Sequence, residues 1–217
     1  MFNVLSGDTP IELLIIQLIA VVIGLTIHEF SHGFASYRLG DSTAKFDGRL
    51  SFSPLRHIDP IGFLMIVLVG FGWAKPVMVN PRNLRKPKRD MAIISFAGPL
   101  SNFLLAFFVT AIYVPLLVTG IIAGGGYVAV FLFILIHVNI MLGVFNLIPV
   151  PPLDGSKIVS VFLPNHLYWR YANFRYGFIV LIIIIISDPI RNLVWSMVVT
   201  IFNSFIFVLD PLWSLIL

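Results

Sequence analysis

His28, Glu29 and His32 stand in the order His-Glu-x-x-His, at the end of a predominantly apolar stretch from residue 11 to residue 27. On a helix the two imidazoles fall one turn apart on the same face, where both can bind one metal ion. Glu29 then lies beside them, placed to take a proton from a water polarised by that metal. Ionisable groups in a lipid-spanning helix are costly unless paired, so function is the default reading of this trio. The competing reading is a buried polar cluster that only holds helices together.

Two histidines leave a hydrolytic zinc site short of its usual three protein ligands. Asp154 is the best candidate for the third. It follows Pro149, Pro151 and Pro152, which prevent a regular helix, and precedes Gly155, so the backbone can bend its carboxylate inward. The bland alternative is a turn residue, since Asp-Gly is a common turn signal. Asp59 follows a basic loop, Asp188 reads as lying on the far side of the membrane, and Asp210 stands near the C-terminus.

The elements that must position these residues belong to a membrane. Of the 217 residues 59% are hydrophobic and 11% charged, and the mean hydropathy is +0.99, outside the range of soluble domains. The length accommodates roughly four to six spanning helices at about 20 residues each. The first apolar run is too long for a signal peptide and carries the metal motif instead of a cleavage site. With no cysteine there is no disulfide, thiolate ligand or Cys nucleophile.

The hydropathy pattern predicts spans over residues 11–39, 91–119 and 127–147, with a further candidate at 190–209. Residues 176–187 are very apolar but short, and would need to borrow residues 167–175 to cross. Residues 42–53, centred on Asp47-Gly48, read as a β-hairpin. Residues 61–73 are too short to cross and read as re-entrant or interfacial. The expected fold is therefore an all-α polytopic membrane protein with a small hairpin and a re-entrant segment. It forms a single domain over 1–217, with a core of 11–157 followed by helices in 167–217.

If residues 61–73 do not cross, 13 of the 14 basic residues fall on one side and Arg191 stays alone on the other. By the positive-inside rule the crowded side is the cytoplasm. The pI near 9.6 then reports membrane orientation and not a nucleic-acid partner. The run 82–89 reads as topogenic and in reach of anionic lipids.

His28-Glu29-x-x-His32, followed by Asn146-x-x-Pro149-x-Pro151-Pro152-Leu153-Asp154-Gly155, resembles the site-2 protease family of intramembrane zinc metalloproteases. The resemblance also takes in His57-Ile58-Asp59-Pro60-x-Gly62 and Gly98-Pro99-x-x-Asn102, and is closest to the small bacterial and archaeal branch. It implies one Zn2+ per chain held by His28, His32 and Asp154, with Glu29 catalytic and transmembrane-segment proteins as substrates in regulated intramembrane proteolysis. Asn102 matches a position that binds substrate or the oxyanion; a plain interhelical hydrogen bond is the other reading. His57 reads either as a gating or supporting residue or as an interfacial histidine. Asn146 either positions the Asp154 turn or caps a helix. His137 and Asn139 read as interhelical hydrogen-bonding groups. The PDZ and CBS domains common in the family have no counterpart in these residues, and the sequence carries no signal for a particular oligomer.

A metal transporter using His28, His32 and Asp154 as a transit site is the main competing function. Transporters usually carry paired repeats and a polar path across the whole bilayer, whereas here the polar residues gather on one side. An inert binding homologue is the other alternative, against which every residue the reaction needs is present.

Overall fold

The structure, a computed structural model, describes residues 10–70, 72–172, 174 and 176–214. Four of its helices are long and apolar enough to cross a membrane: α1 (Ile11–Arg38), α4 (Pro87–Val118), α5 (Tyr127–Asn146) and α9 (Asp188–Trp213). Glu12 in the first turn of α1 and Arg38 in its last complement the helix dipole. Pro87 opens α4 at a position where a missing N–H costs nothing, and Asp90 Oδ2 accepts from Lys86 N at 2.8 Å. Short helices fill the rest: α2 (Thr43–Phe46), α3 (Pro60–Val69), α6 (Asp154–Ser160), α7 (Asn165–Ala172) and α8 (Gly177–Ile186).

Residues 42–53 do not form the expected hairpin. Asp41 Oδ1 accepts from Thr43 N at 3.1 Å and from its Oγ1 at 2.6 Å, which starts the single turn of α2 where a strand was expected. The Gly48 turn is present, at φ +67°. Phe52 stacks on Phe30 of α1 with ring centroids 4.0 Å apart, so its apolar contact is to a helix and not to a partner strand. Among the described residues the one β-bridge joins Ile58 to Ala74.

That bridge closes the re-entrant segment. Asp59 caps α3 by accepting from Gly62 N at 2.8 Å, and Gly70 stops it in the left-handed region at φ 76°. Ten residues of helix reach about 15 Å, half of a hydrocarbon core. The chain then returns along its own path. Trp73 O packs so close to Gly62 that a Cβ there would lie 2.1 Å from it, and Lys75 N donates to His57 O at 2.8 Å. Both ends of the segment are on one side.

Ring contacts fix the direction of α9. Trp195 stacks on His137 with centroids 6.0 Å apart, Phe202 meets Phe133 at 6.4 Å, and Phe205 meets Phe107 at 5.3 Å. Trp213 Nε1 then donates to Ala111 O at 3.3 Å. So α9 runs antiparallel to α5 and parallel to α4, and it starts at the end where α5 finishes. Asp188 and Arg191 accordingly lie on the side of the other basic segments, which corrects the far-side placement. The reason is that α8 does not cross: it begins against Pro151, whose carbonyl oxygen would be 2.2 Å from a Cβ on Gly177, and its ten residues end where α9 starts. Ala106, Ile136, Ile140, Val144 and Val198 form the buried core between α4, α5 and α9.

Candidate metal centre

α1 and α4 pack antiparallel, so His32 faces Ile94 while Gly24, two turns earlier, faces Asn102. Gly98 lies between. A Cβ on Gly98 would be 2.5 Å from His32 Cε1 and Nε2 and 2.7 Å from His28 Cε1, so only a bare backbone lets α4 lie against both imidazoles. The third element is α6, with Asp154 as its first residue. Gly155 brings it in: a Cβ there would stand 2.2 Å from Leu147 O.

Three atoms converge as a result. His28 Nε2 and His32 Nε2 are 3.0 Å apart, and each is 3.1 Å from Asp154 Oδ2. All three residues are buried. Lys157 Nζ lies 3.5 Å from the other carboxylate oxygen.

The hydrogen-bond network decides what the triangle accepts. His32 Nδ1 is 2.7 Å from Ile94 O, a carbonyl that can only accept, so this nitrogen carries the proton. Asn102 Nδ2 donates to Gly24 O at 3.0 Å and to Asn139 Oδ1 at 2.8 Å, which turns its Oδ1 toward His28 Nδ1 at 2.7 Å. His28 Nδ1 is therefore a donor as well. With Nδ1 as the donor, each imidazole in its neutral form turns an Nε2 lone pair toward the other and toward a carboxylate, an arrangement that a metal cation among them would satisfy. Their spacing is close to the roughly 3.3 Å between ligands of a tetrahedral zinc with ~2.0 Å bonds. Two nitrogens and one carboxylate oxygen also suit zinc.

Glu29 is half-buried beside this group, and its Oε2 accepts from Val77 N at 3.0 Å. Val77 belongs to an extended segment, residues 75–80, pinned at both ends. Lys75 is held by His57 O and by the buried Arg49, whose Nη1 also binds Arg56 O. Asn80 N donates to Asp41 Oδ2 at 2.8 Å, and Asn83 Nδ2 to Asp41 Oδ1 at 2.8 Å. Burial pushes the Asp41 carboxyl up, but hydrogen bonds from Thr43, Asn83 and Asn80 outweigh it and hold the group at about 2.

Among the described residues the chain thus gathers His28, His32 and Asp154 as its one group able to hold a metal. Asn102 joins them from behind His28. His57 does not: buried, it bonds through Nε2 to Ser51 O at 2.7 Å and bonds to none of the four acidic and imidazole groups above. Asn146 bonds to Leu142 O of its own helix at 2.9 Å, so it neither meets Asp154 nor caps across to it. His137 likewise turns back to Phe133 O, whereas Asn139 does bond between helices. The Ile94 and Gly24 carbonyls and the Val77 amide are not legible in the sequence, since backbone groups carry no residue-type signal.

Residues 115–187 match the family model for peptidase family M50. A Bacillus subtilis protein named "Putative zinc metalloprotease YwhC" is 35% identical over 192 residues, covering 87% of this chain and 88% of its own length. The chain belongs to peptidase family M50, the site-2 protease family. A Mycolicibacterium smegmatis protein named "Putative zinc metalloprotease Rip2" is 23% identical over 188 residues, covering 84% of this chain and 71% of its own length. A third, "Putative zinc metalloprotease MJ0611" of Methanocaldococcus jannaschii, is 29% identical over 149 residues, covering 67% and 70%. No solved structure matches. This M50 chain is a zinc metalloprotease with four candidate membrane helices among its described residues.

Proposed function

We propose that the chain is a single-domain intramembrane zinc endopeptidase that hydrolyses peptide bonds in or near transmembrane segments of membrane-protein substrates, as in regulated intramembrane proteolysis. The observation that carries this reading is the depth of the ligand triangle. Asn139 lies seven residues, about 10 Å, inside the basic end of α5, and Ile94 lies about 5 Å beyond the first apolar residues of α4. The charge asymmetry supports the cytoplasm as the basic side.

In this reading His28, His32 and Asp154 hold the zinc. When bound, zinc supplies Lewis acidity, lowering the pKa of the attacking water and polarising the scissile carbonyl. Glu29 takes the proton of the attacking water on Oε1, since Oε2 is engaged by Val77, and delivers it to the leaving amine. Both Asn102 amide hydrogens are engaged by Gly24 O and Asn139 Oδ1, so its role is to orient His28 and not to donate to an oxyanion. A helical substrate hides its peptide bonds and must unwind first. Among the described residues Met78 N and Val79 N have no partner, which leaves the segment 75–80 an edge for an extended substrate. Transport of a metal is the weaker reading, because Ala106, Ile136, Ile140 and Val198 form an apolar core toward the opposite end.

The test uses purified protein in detergent, with zinc quantified, and candidate single-span substrates. Glu29→Gln is expected to retain zinc and to lose at least about 10²-fold in cleavage rate. Asp154→Ala is expected to lose stoichiometric zinc. Cleavage by Glu29→Gln at the wild-type rate overturns the mechanism.

A further inference from the structure

Where α1 ends and α4 begins, Arg38, Arg85, Lys86 and Arg89 line a cavity of about 400 Å³ together with Asp90. Among the described residues none of the four cations has a carboxylate within ion-pair distance, and Asp90 is already engaged by Lys86 N. Four clustered, unpaired cations repel one another and call for an anion. Arg89 also lines a second, apolar groove of about 240 Å³ between α4 and α6, formed by Ala92, Ile93, Phe96, Ile158, Val161 and Phe162.

The two features follow one another along α4 in a fixed order. Residues 85–90 give the cavity and residues 92–96 the groove, so charge comes first and apolar surface follows toward the bilayer. Arg89 is two residues before Met91, where the apolar part of α4 starts, which sets the cavity at headgroup depth. A free phosphate would use the cavity and leave the groove empty. An amphiphile with an anionic head and an aliphatic tail fills both in the order and depth observed.

We propose that this is a binding site for one anionic glycerophospholipid, its phosphate among Arg38, Arg85, Lys86 and Arg89 and one acyl chain in the groove between α4 and α6. Such a lipid ties α4 to α6, whose Ile158 lies one turn beyond Asp154, the residue on which the zinc site's third side depends.

Native mass spectrometry of the detergent-solubilised full chain tests this, with phosphatidylglycerol or phosphatidylcholine of identical acyl chains. One phosphatidylglycerol per chain is expected to be retained in preference to phosphatidylcholine. Arg85→Gln combined with Arg89→Gln is expected to weaken it roughly 30-fold. The control pair Lys45→Gln and Arg82→Gln, which removes two charges outside the cavity, is expected to change it less than about 2-fold. Lys86→Gln, expected to cost roughly 5-fold, keeps the test open if the double variant does not fold. Ile93→Ser is expected to weaken retention through the groove alone. Equal retention of the two lipids, or equal losses in the control pair, overturns the site. Displacement by equimolar inorganic phosphate, with Ile93→Ser without effect, overturns the lipid and marks a free-phosphate site instead.

Discussion

Asn102 commits both amide hydrogens to Gly24 O and Asn139 Oδ1, and this fixes which of its atoms meets His28. Replacing it with Leu leaves a buried His28 N–H without an acceptor and frees the ring to turn. Outer partners of metal ligands typically sustain affinity by 10–100-fold, so Asn102→Leu is expected to weaken zinc binding by about that factor. Asn139→Leu should act in the same direction but less, because Gly24 O still holds the Asn102 amide. Competition with a chromogenic chelator measures both; unchanged affinity in each would free Asn102 for a role facing substrate. The residue types at this site were legible in sequence to different degrees for a physical reason. His28 and His32 are one helical turn apart, so local geometry alone pairs them. Asp154 was marked by its broken backbone. Asn102 and Asn139 are 37 residues apart on different helices, and nothing short of the fold brings them together.

The extended segment 75–80 is the element that carries Val77 to Glu29, and Asp41 is one of its two anchors. With its pKa lowered to about 2, Asp41 is ionised in the folded protein at neutral pH. A lowered carboxylate pKa gives stability that is present above the unfolded value near 3.9 and lost as pH falls through about 2. Asp41→Asn is therefore expected to lower thermal stability at pH 7 by about 2 kcal/mol, with the difference from wild type shrinking below pH 4. A difference that stays constant down to pH 2 would contradict the assignment. Asp41→Ala should also let Val77 shift from Glu29, reducing kcat by up to about 10²-fold with zinc content unchanged. The sequence reading of residues 42–53 marked the Gly48 turn correctly because φ > 0 is a local demand. Strands are expected on either side of it because Phe46, Leu50 and Phe52 interleave with charged and small residues there. The Asp41 bonds to Thr43 start a helix there instead, and Phe52 has Phe30 of α1 to stack on.

Charge distribution organises the whole molecule. Once α9 is known to start at the basic end, no described Lys or Arg remains at the opposite end, where the 119–126 turn lies. The asymmetry itself was plain from the sequence, since basic residues cluster next to apolar runs. The position of Arg191 was not, because ten apolar residues followed by Asp188-Pro189 look like a crossing if the flanks are borrowed. In the fold those flanks are spoken for: Tyr171 Oη bonds to Pro149 O, Lys88 Nζ lies 5.4 Å from the Tyr168 ring, and Gly177 packs against Pro151. The absence of native cysteine makes the topology directly measurable. Gly125→Cys places a thiol in the exposed 119–126 turn, with no atom near its Cβ, and Asp188→Cys places one at the start of α9. In intact cells a membrane-impermeant maleimide is expected to label Gly125→Cys at once and Asp188→Cys only after permeabilisation. Labelling of both from outside would make α8 a crossing, return Arg191 to the far side, and reverse the direction of α9. Labelling of Asp188→Cys alone would turn the molecule over, with the metal centre opening away from the cytoplasm.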